Sequence, residues 1–133
     1  MTEQNSKIEP ININLRNRDI EEIIQKRYEA SELYIEAYII HKRYKEGEDE
    51  YKSKLMSSIA KKRREDGLPT LNRNELLDAT RASDLWTTYL DLLNLTEKDM
   101  LHLENVRDTW RSAFEAKRSI LADEREKRKE GIG

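Results

Sequence analysis

The chain reads as all-α: a long antiparallel helical hairpin of two to three helices, preceded by a short extended arm. Three observations predict this. Charged residues make up 39% and hydrophobic residues 36% of the 133 positions, with only four Gly and two Pro, a composition typical of charged helical and coiled-coil proteins. Apolar residues recur at helical spacing over most of the length. A single helix-stop signal, Gly67-Leu68-Pro69, separates two such patterns. So few apolar residues build only a thin core, and thin cores in long helices are commonly completed by self-association. A homo-oligomer is therefore expected.

Residues 1–18 form the arm. Ile11, Ile13 and Leu15 alternate with Asn12 and Asn14, a strand-like pattern with no partner strand elsewhere. The arm is either unattached or docks on another surface, such as a neighbouring subunit. The helical hairpin domain covers 19–121. Its first helix should start near Asp19, with Glu22 completing a capping-box-like pair, and run to about Asp66. Between Tyr28 and Tyr44 the apolar residues Tyr28, Leu33, Tyr34, Ile35, Tyr38, Ile39 and Ile40 spread around most of the helix. A helix that is apolar nearly all round must be buried nearly all round. The segment thus predicts contact with several helices, and Tyr28, Leu33, Ile35, Tyr38 and Ile39 are the candidate oligomerisation residues. Glu46–Glu50, with Gly47, interrupts the pattern as a kink, a short loop or an exposed acidic turn. Tyr51, Leu55 and Ile59 then resume the stripe.

The next helix has a clear start. Asn72 is the N-cap, Glu75 occupies N3, and Leu71 and Leu76 form a hydrophobic staple. Leu85, Trp86, Tyr89, Leu90, Leu92 and Leu93 make a broad apolar face. Asn94–Asp99 is either a joint, with Thr96 capping a third helix, or a polar step in one unbroken helix. Leu103, Val106, Trp110, Ala113 and Ile120 continue the stripe. Residues 122–133 are almost wholly charged and are expected to be a fraying tail.

The catalytic inventory is poor, and no enzyme, cofactor or metal site is expected. Cysteine is absent, which removes thiol chemistry and Cys-zinc sites. His41 and His102 are lone histidines without metalloprotease spacing, and Glu48-Asp49-Glu50 lacks the pattern of a calcium loop. No signal peptide or membrane-spanning run is expected, so the cytoplasm is the expected compartment. One segment is chemically distinct. From Lys52 to Arg64 there are six basic residues and no acidic one, in a chain with 25 Lys and Arg against 27 Asp and Glu. This positive end suits a polyanion site; the alternative is a solvated basic helix end that suits the helix dipole. Tyr51 is the candidate for stacking on bases, while Trp86 and Trp110 read as core. Arg107, Arg111, Lys117 and Arg118 are the reserve candidates.

Several of these elements resemble the UvsY recombination mediators of T4-type bacteriophages, over about residues 26–92. Tyr28-Glu29-Ala30, Leu33-Tyr34, His41, the basic run Lys61–Gly67, and Trp86 with Leu90-Asp91 carry the resemblance. The chain differs in its N-terminal extension, a tighter turn and a more charged C-terminus. The resemblance implies a ring-like homo-oligomer that binds single-stranded DNA through the basic region, with Lys54, Lys61, Lys62, Arg63 and Arg64 contacting phosphates, and that helps a recombinase displace a single-strand-binding protein. In a host cell, that places it in the cytoplasm. Leu95–Asp99, Leu103-Glu104 and Trp110 also resemble helices of phage small terminase subunits, which are packaging adaptors. A coiled-coil adaptor or inhibitor that binds only protein is the third reading.

Overall fold

Asp19 opens the first helix of a computed structural model that describes residues 14–131. Its carboxylate accepts from the Glu21 amide at 3.2 Å. Glu22 is drawn upstream instead, taking the Arg18 guanidinium at 2.9 Å. Half of the expected capping box is thus replaced by an ion pair. Four helices follow and no strand is present among the described residues. They are α1 (Ile20–Glu46), α2 (Glu48–Glu65), α3 (Arg73–Arg81) and α4 (Asp84–Lys129).

The expected single helix to Asp66 is divided at Gly47. The break is one residue long and keeps a right-handed backbone, with φ −84° and ψ −1°. Helix-like bonding passes across it, from the Gly47 amide to the Arg43 carbonyl and from the Tyr51 amide to the Gly47 carbonyl. α2 then ends as expected. Gly67 is left-handed at φ +70°. Its amide bonds Arg64 and the Leu68 amide bonds Arg63, the two reversed bonds of a Schellman motif. α3 starts with the full capping box: the Glu75 amide donates to Asn72 at 2.8 Å and the Asn72 amide to Glu75 at 3.2 Å.

The second joint lies at Ala82-Ser83, not at residues 94–99, through which α4 runs unbroken. Ser83 is the reason. Its hydroxyl donates to the Thr80 carbonyl at 2.7 Å and accepts from the Trp86 amide at 3.2 Å, closing one helix and capping the next. The Thr96 hydroxyl caps nothing; it donates to Leu93 within the helix. The charged segment from Ala122 is likewise helical through Lys129 rather than leaving the helix. Ion pairs at helical spacing, Lys127 with Asp123 and Lys129 with Glu126, line it.

The chain divides into two compact units, residues 1–37 with 100–133, and residues 38–99. In the first, Ile23 and Ala30 of α1 are buried against Val106, Trp110 and Ala113 of α4, with Leu15 and Phe114 alongside. Rising positions in α1 meet falling positions in α4. Arg27 lies over the Phe114 ring at 4.8 Å, and Arg107 over the Tyr34 ring at 4.2 Å. Leu15 belongs to a turn, not a strand, and packs on this core within its own chain. Ile11 and Ile13 lie outside the described residues. The Lys117 side chain is only 6% exposed and its ammonium donates to the Leu15 carbonyl at 2.8 Å.

In the second unit, Leu55, Thr80 and Trp86 are buried. Tyr51 stacks on Tyr89 with ring centroids 4.4 Å apart and planes 13° apart, and Trp86 stacks nearly parallel to Tyr89 at 5.7 Å. These offset aromatic contacts add to burial itself. His41 meets the Thr96 hydroxyl at 3.1 Å. No helix among the described residues is long and apolar enough to cross a membrane.

Most of the apolar girdle of α1 stands exposed on the single chain. Within the chain, α1 buries one seam, Ile23, Ala30 and Ala37, repeating every seventh residue. Apart from Ile23, its large apolar side chains stand outside that seam. Tyr28 is 59% exposed, Ile35 53%, Tyr38 44% and Ile39 41%, while Leu33 is half-buried.

Candidate nucleic-acid interface

Helix geometry sorts the basic candidates of α2 onto different faces. Successive residues are 100° apart, so positions seven apart nearly coincide. Lys54 and Lys61 therefore share one face, and Arg64 lies beside them. Ser57 and Ser58 fall between, both exposed. The result is a strip of three cations and two hydroxyls, with Lys54 and Lys61 about 10.5 Å apart along the axis. Lys62 points roughly 100° away from Lys61 and is also exposed.

The five residues are not equivalent. Arg63 is half-buried, and its guanidinium donates twice to the Pro69 carbonyl, at 3.2 and 2.9 Å. It clasps the turn between α2 and α3 and is a structural residue. Lys54 pairs with Glu50 at 3.2 Å, with both side chains more than 70% exposed. Such a pair contributes little and opens readily to a stronger anion. Lys61, Lys62 and Arg64 are exposed and make no ion pair with a described residue. Glu65 and Asp66 are exposed at the end of the same helix and weaken the local field.

A groove of about 250 Å3 flanks the strip, between α2 and α3. Ala60, Leu68, Leu71 and Leu76 line it, with Arg63 and Arg64 at its edge. No aromatic residue contributes to it. Tyr51, the candidate for base stacking, is occupied by Tyr89, and Lys52 lies over the Trp86 ring at 5.4 Å. Tyr51 nevertheless lines a shallow hollow together with Lys54 of the strip, Tyr44 and Tyr89, whereas Lys52 points to the opposite side of α2. The site offers phosphate contacts and hydroxyl donors, with tyrosine rings beside it only at its Lys54 end. Ser57 and Ser58 escaped notice in the sequence because hydroxyls carry no charge signal; their place between Lys54 and Lys61 at i+3 and i+4 was the available clue.

The reserve candidates are largely engaged. Arg107 lies over Tyr34 and bonds Asp108 at 3.1 Å, Arg111 reaches the same Asp108 at 3.7 Å, and Lys117 is buried. Arg118 remains exposed. No group of three or more His, Cys, Asp or Glu side chains is placed to hold a metal ion among the described residues. Comparison with known protein families, with curated proteins and with solved structures returns no match.

Proposed function

We propose that the chain is a non-enzymatic, self-associating protein that binds single-stranded DNA, acting as a phage-type recombination mediator that assists recombinase loading against a single-strand-binding protein. One observation carries the DNA reading: Lys54, Ser57, Ser58, Lys61 and Arg64 form an exposed strip on α2, and the segment they span contains no carboxylate. Cations and hydroxyls at this spacing contact phosphates, which positions a strand without reading its sequence. Binding led by phosphate contacts carries strong salt dependence.

The exposed apolar residues of α1 support self-association. Repeating the strip around an assembly turns a weak contact into an avid one. A single copy offers three or four phosphate contacts, too few for tight binding at physiological salt.

Gel shifts with single- and double-stranded DNA of matched sequence, at two salt concentrations, test the reading. Single strands should bind better, with little sequence preference and a marked loss at the higher salt. Preference for duplex would instead fit a small-terminase-like packaging adaptor. No binding to either form would leave a protein-only coiled-coil adaptor or inhibitor.

A further inference from the structure

We infer that the last turns of α4 bind an acidic, amphipathic peptide segment of a partner protein, at a groove separate from the proposed DNA strip. The groove has a volume of about 700 Å3 and lies wholly within the first unit. Ile20, Leu121 and Ala122 form its apolar floor, and Arg118, Arg125 and Arg128 its walls. Spacings of three and four place Arg118, Leu121, Ala122, Arg125 and Arg128 on one broad face of α4. α1 begins at Ile20, so the α4 face beyond that point receives no further α1 residue.

The arginines are available for a ligand. The nearby carboxylates Asp123 and Glu126 pair loosely with Lys127 at 3.4 Å and Lys129 at 3.7 Å. Arg125 and Arg128 make no ion pair with a described residue and are exposed. Arg118 has a loose pair with Glu115 at 3.7 Å, both about 60% exposed, which exchanges easily for a better carboxylate.

The lining decides the ligand class. A strand of nucleic acid would bring bases as well as phosphates, and single-strand sites hold bases on aromatic rings. This groove presents aliphatic carbons beside its arginines instead, with no aromatic ring in its lining. A peptide with carboxylates and aliphatic side chains satisfies both features: its acids pair with guanidinium forks, and its apolar residues cover Ile20 and Leu121. Arg118 and Arg125 are two turns apart, about 10.5 Å, which matches acids seven residues apart on a peptide helix.

The test uses the full chain and a fluorescein-labelled synthetic helical peptide with Glu at i and i+7 and Leu between them. Fluorescence anisotropy should show binding that weakens when the Leu residues become Ser. Arg125→Glu with Arg128→Glu should lower affinity by about tenfold or more, while oligo(dT) binding at the α2 strip stays unchanged. If the Glu pair reduces helix content, Arg125→Gln with Arg128→Gln makes the same comparison. Undiminished peptide binding by these variants, equal binding of the Ser peptide, or no binding by the parent chain would each overturn the inference. So would displacement of the peptide by oligo(dT), which would make the groove a nucleic-acid site. Tighter peptide binding by Glu3→Lys with Glu9→Lys would identify the chain's own first residues as the occupant and overturn the assignment to a partner.

Discussion

The hydroxyl of Tyr89 donates to the backbone carbonyl of Tyr44, beside the one-residue break at Gly47. This bond ties α4 to the end of α1, and the ring that makes it also stacks on Tyr51 of α2. A Cβ at position 47 would meet the same hydroxyl at 3.6 Å, an ordinary contact, and the Arg43 carbonyl more tightly at 3.2 Å. Three helices of the second unit therefore meet at one side chain.

Replacing Tyr89 with Phe keeps the stack and removes the bond. Chemical denaturation should show a loss of about 1 kcal/mol. Burial, with Glu48 and the neighbouring tyrosines, raises the Tyr89 pKa above its ordinary value. The folded state thus holds this proton more tightly than the unfolded chain does. The resulting stabilisation is complete below about pH 10, where the unfolded tyrosine is still protonated. It is lost as the pH rises through the folded-state value. The parent should therefore lose part of its stability above about pH 10, and Tyr89→Phe should lose less over the same range. An identical alkaline profile for both proteins would exclude Tyr89 as the titrating group.

Lys117 is expected to act as a latch for the N-terminal turn. Its ammonium is buried and bonds the carbonyls of Leu15 and Arg16 at 2.8 and 3.5 Å. Lys117→Met retains most of the apolar stem and removes the donor. The two carbonyls lose a charge-assisted partner, at a cost of about 1–3 kcal/mol. Hydrogen exchange should accelerate at residues 14–18, with the protection of α4 near Val106 unchanged. Uniform loss of protection across the chain would mean that Lys117 serves the whole core instead.

Features coded by neighbouring residues were legible in the sequence, while those coded by distant pairs were not. Asn72 with Glu75, and Gly67 before Pro69, act within one turn, and both appear as read. Trp86 and Trp110 are buried, as their spacing implied. The joint at Ser83 was also local, but Thr80 and Ser83 occur in helices and turns alike, and the polar run at 94–99 carries the stronger break signal. Leu15 alternates like a strand because its neighbours are polar; its contact with a core about 100 positions along the chain has no local signature. Tyr51 looked available for bases because its stacking partner lies on another helix. The basic strip was visible as charge, but only the helix geometry separated Lys61 from Lys62 and set Arg63 aside as a clasp.

That separation leads to a graded expectation for DNA binding. Lys54→Ala, Lys61→Ala and Arg64→Ala together should remove three phosphate contacts from the strip. Each contact with a single strand contributes about 0.7 to the slope of log affinity against log salt. The slope should therefore fall by about 2, with sequence preference unchanged. Lys62→Ala, pointing elsewhere, should change it little. Arg63→Ala should lower stability by about 1–2 kcal/mol through loss of the Pro69 clasp. If Lys62→Ala flattens the salt dependence more than Lys61→Ala does, the DNA follows a different face of α2.

Self-association should be separable from folding at Ile35. The side chain is 53% exposed in the single chain, so its replacement empties no core. Tyr28 and Ile24 lie on the same side of α1, at spacings of seven and eleven, and are 59% and 47% exposed. Together they form an apolar stripe on the side of α1 away from the buried seam of Ile23, Ala30 and Ala37. A helix with two apolar stripes packs against two neighbours, and α4 supplies one. Ile35→Asp places a charge in the second stripe. In an isolated chain the change should cost no more than about 0.5 kcal/mol, as at other exposed sites. In an assembly the same carboxylate would be buried without a partner, at a cost of several kcal/mol. Sedimentation at low micromolar concentration should show an oligomer for the parent and a monomer for Ile35→Asp, with equal helix content by circular dichroism. A parent that sediments as a monomer would remove the assembly from the proposed function. A variant that unfolds would place Ile35 in a core of the single chain, contrary to its exposure.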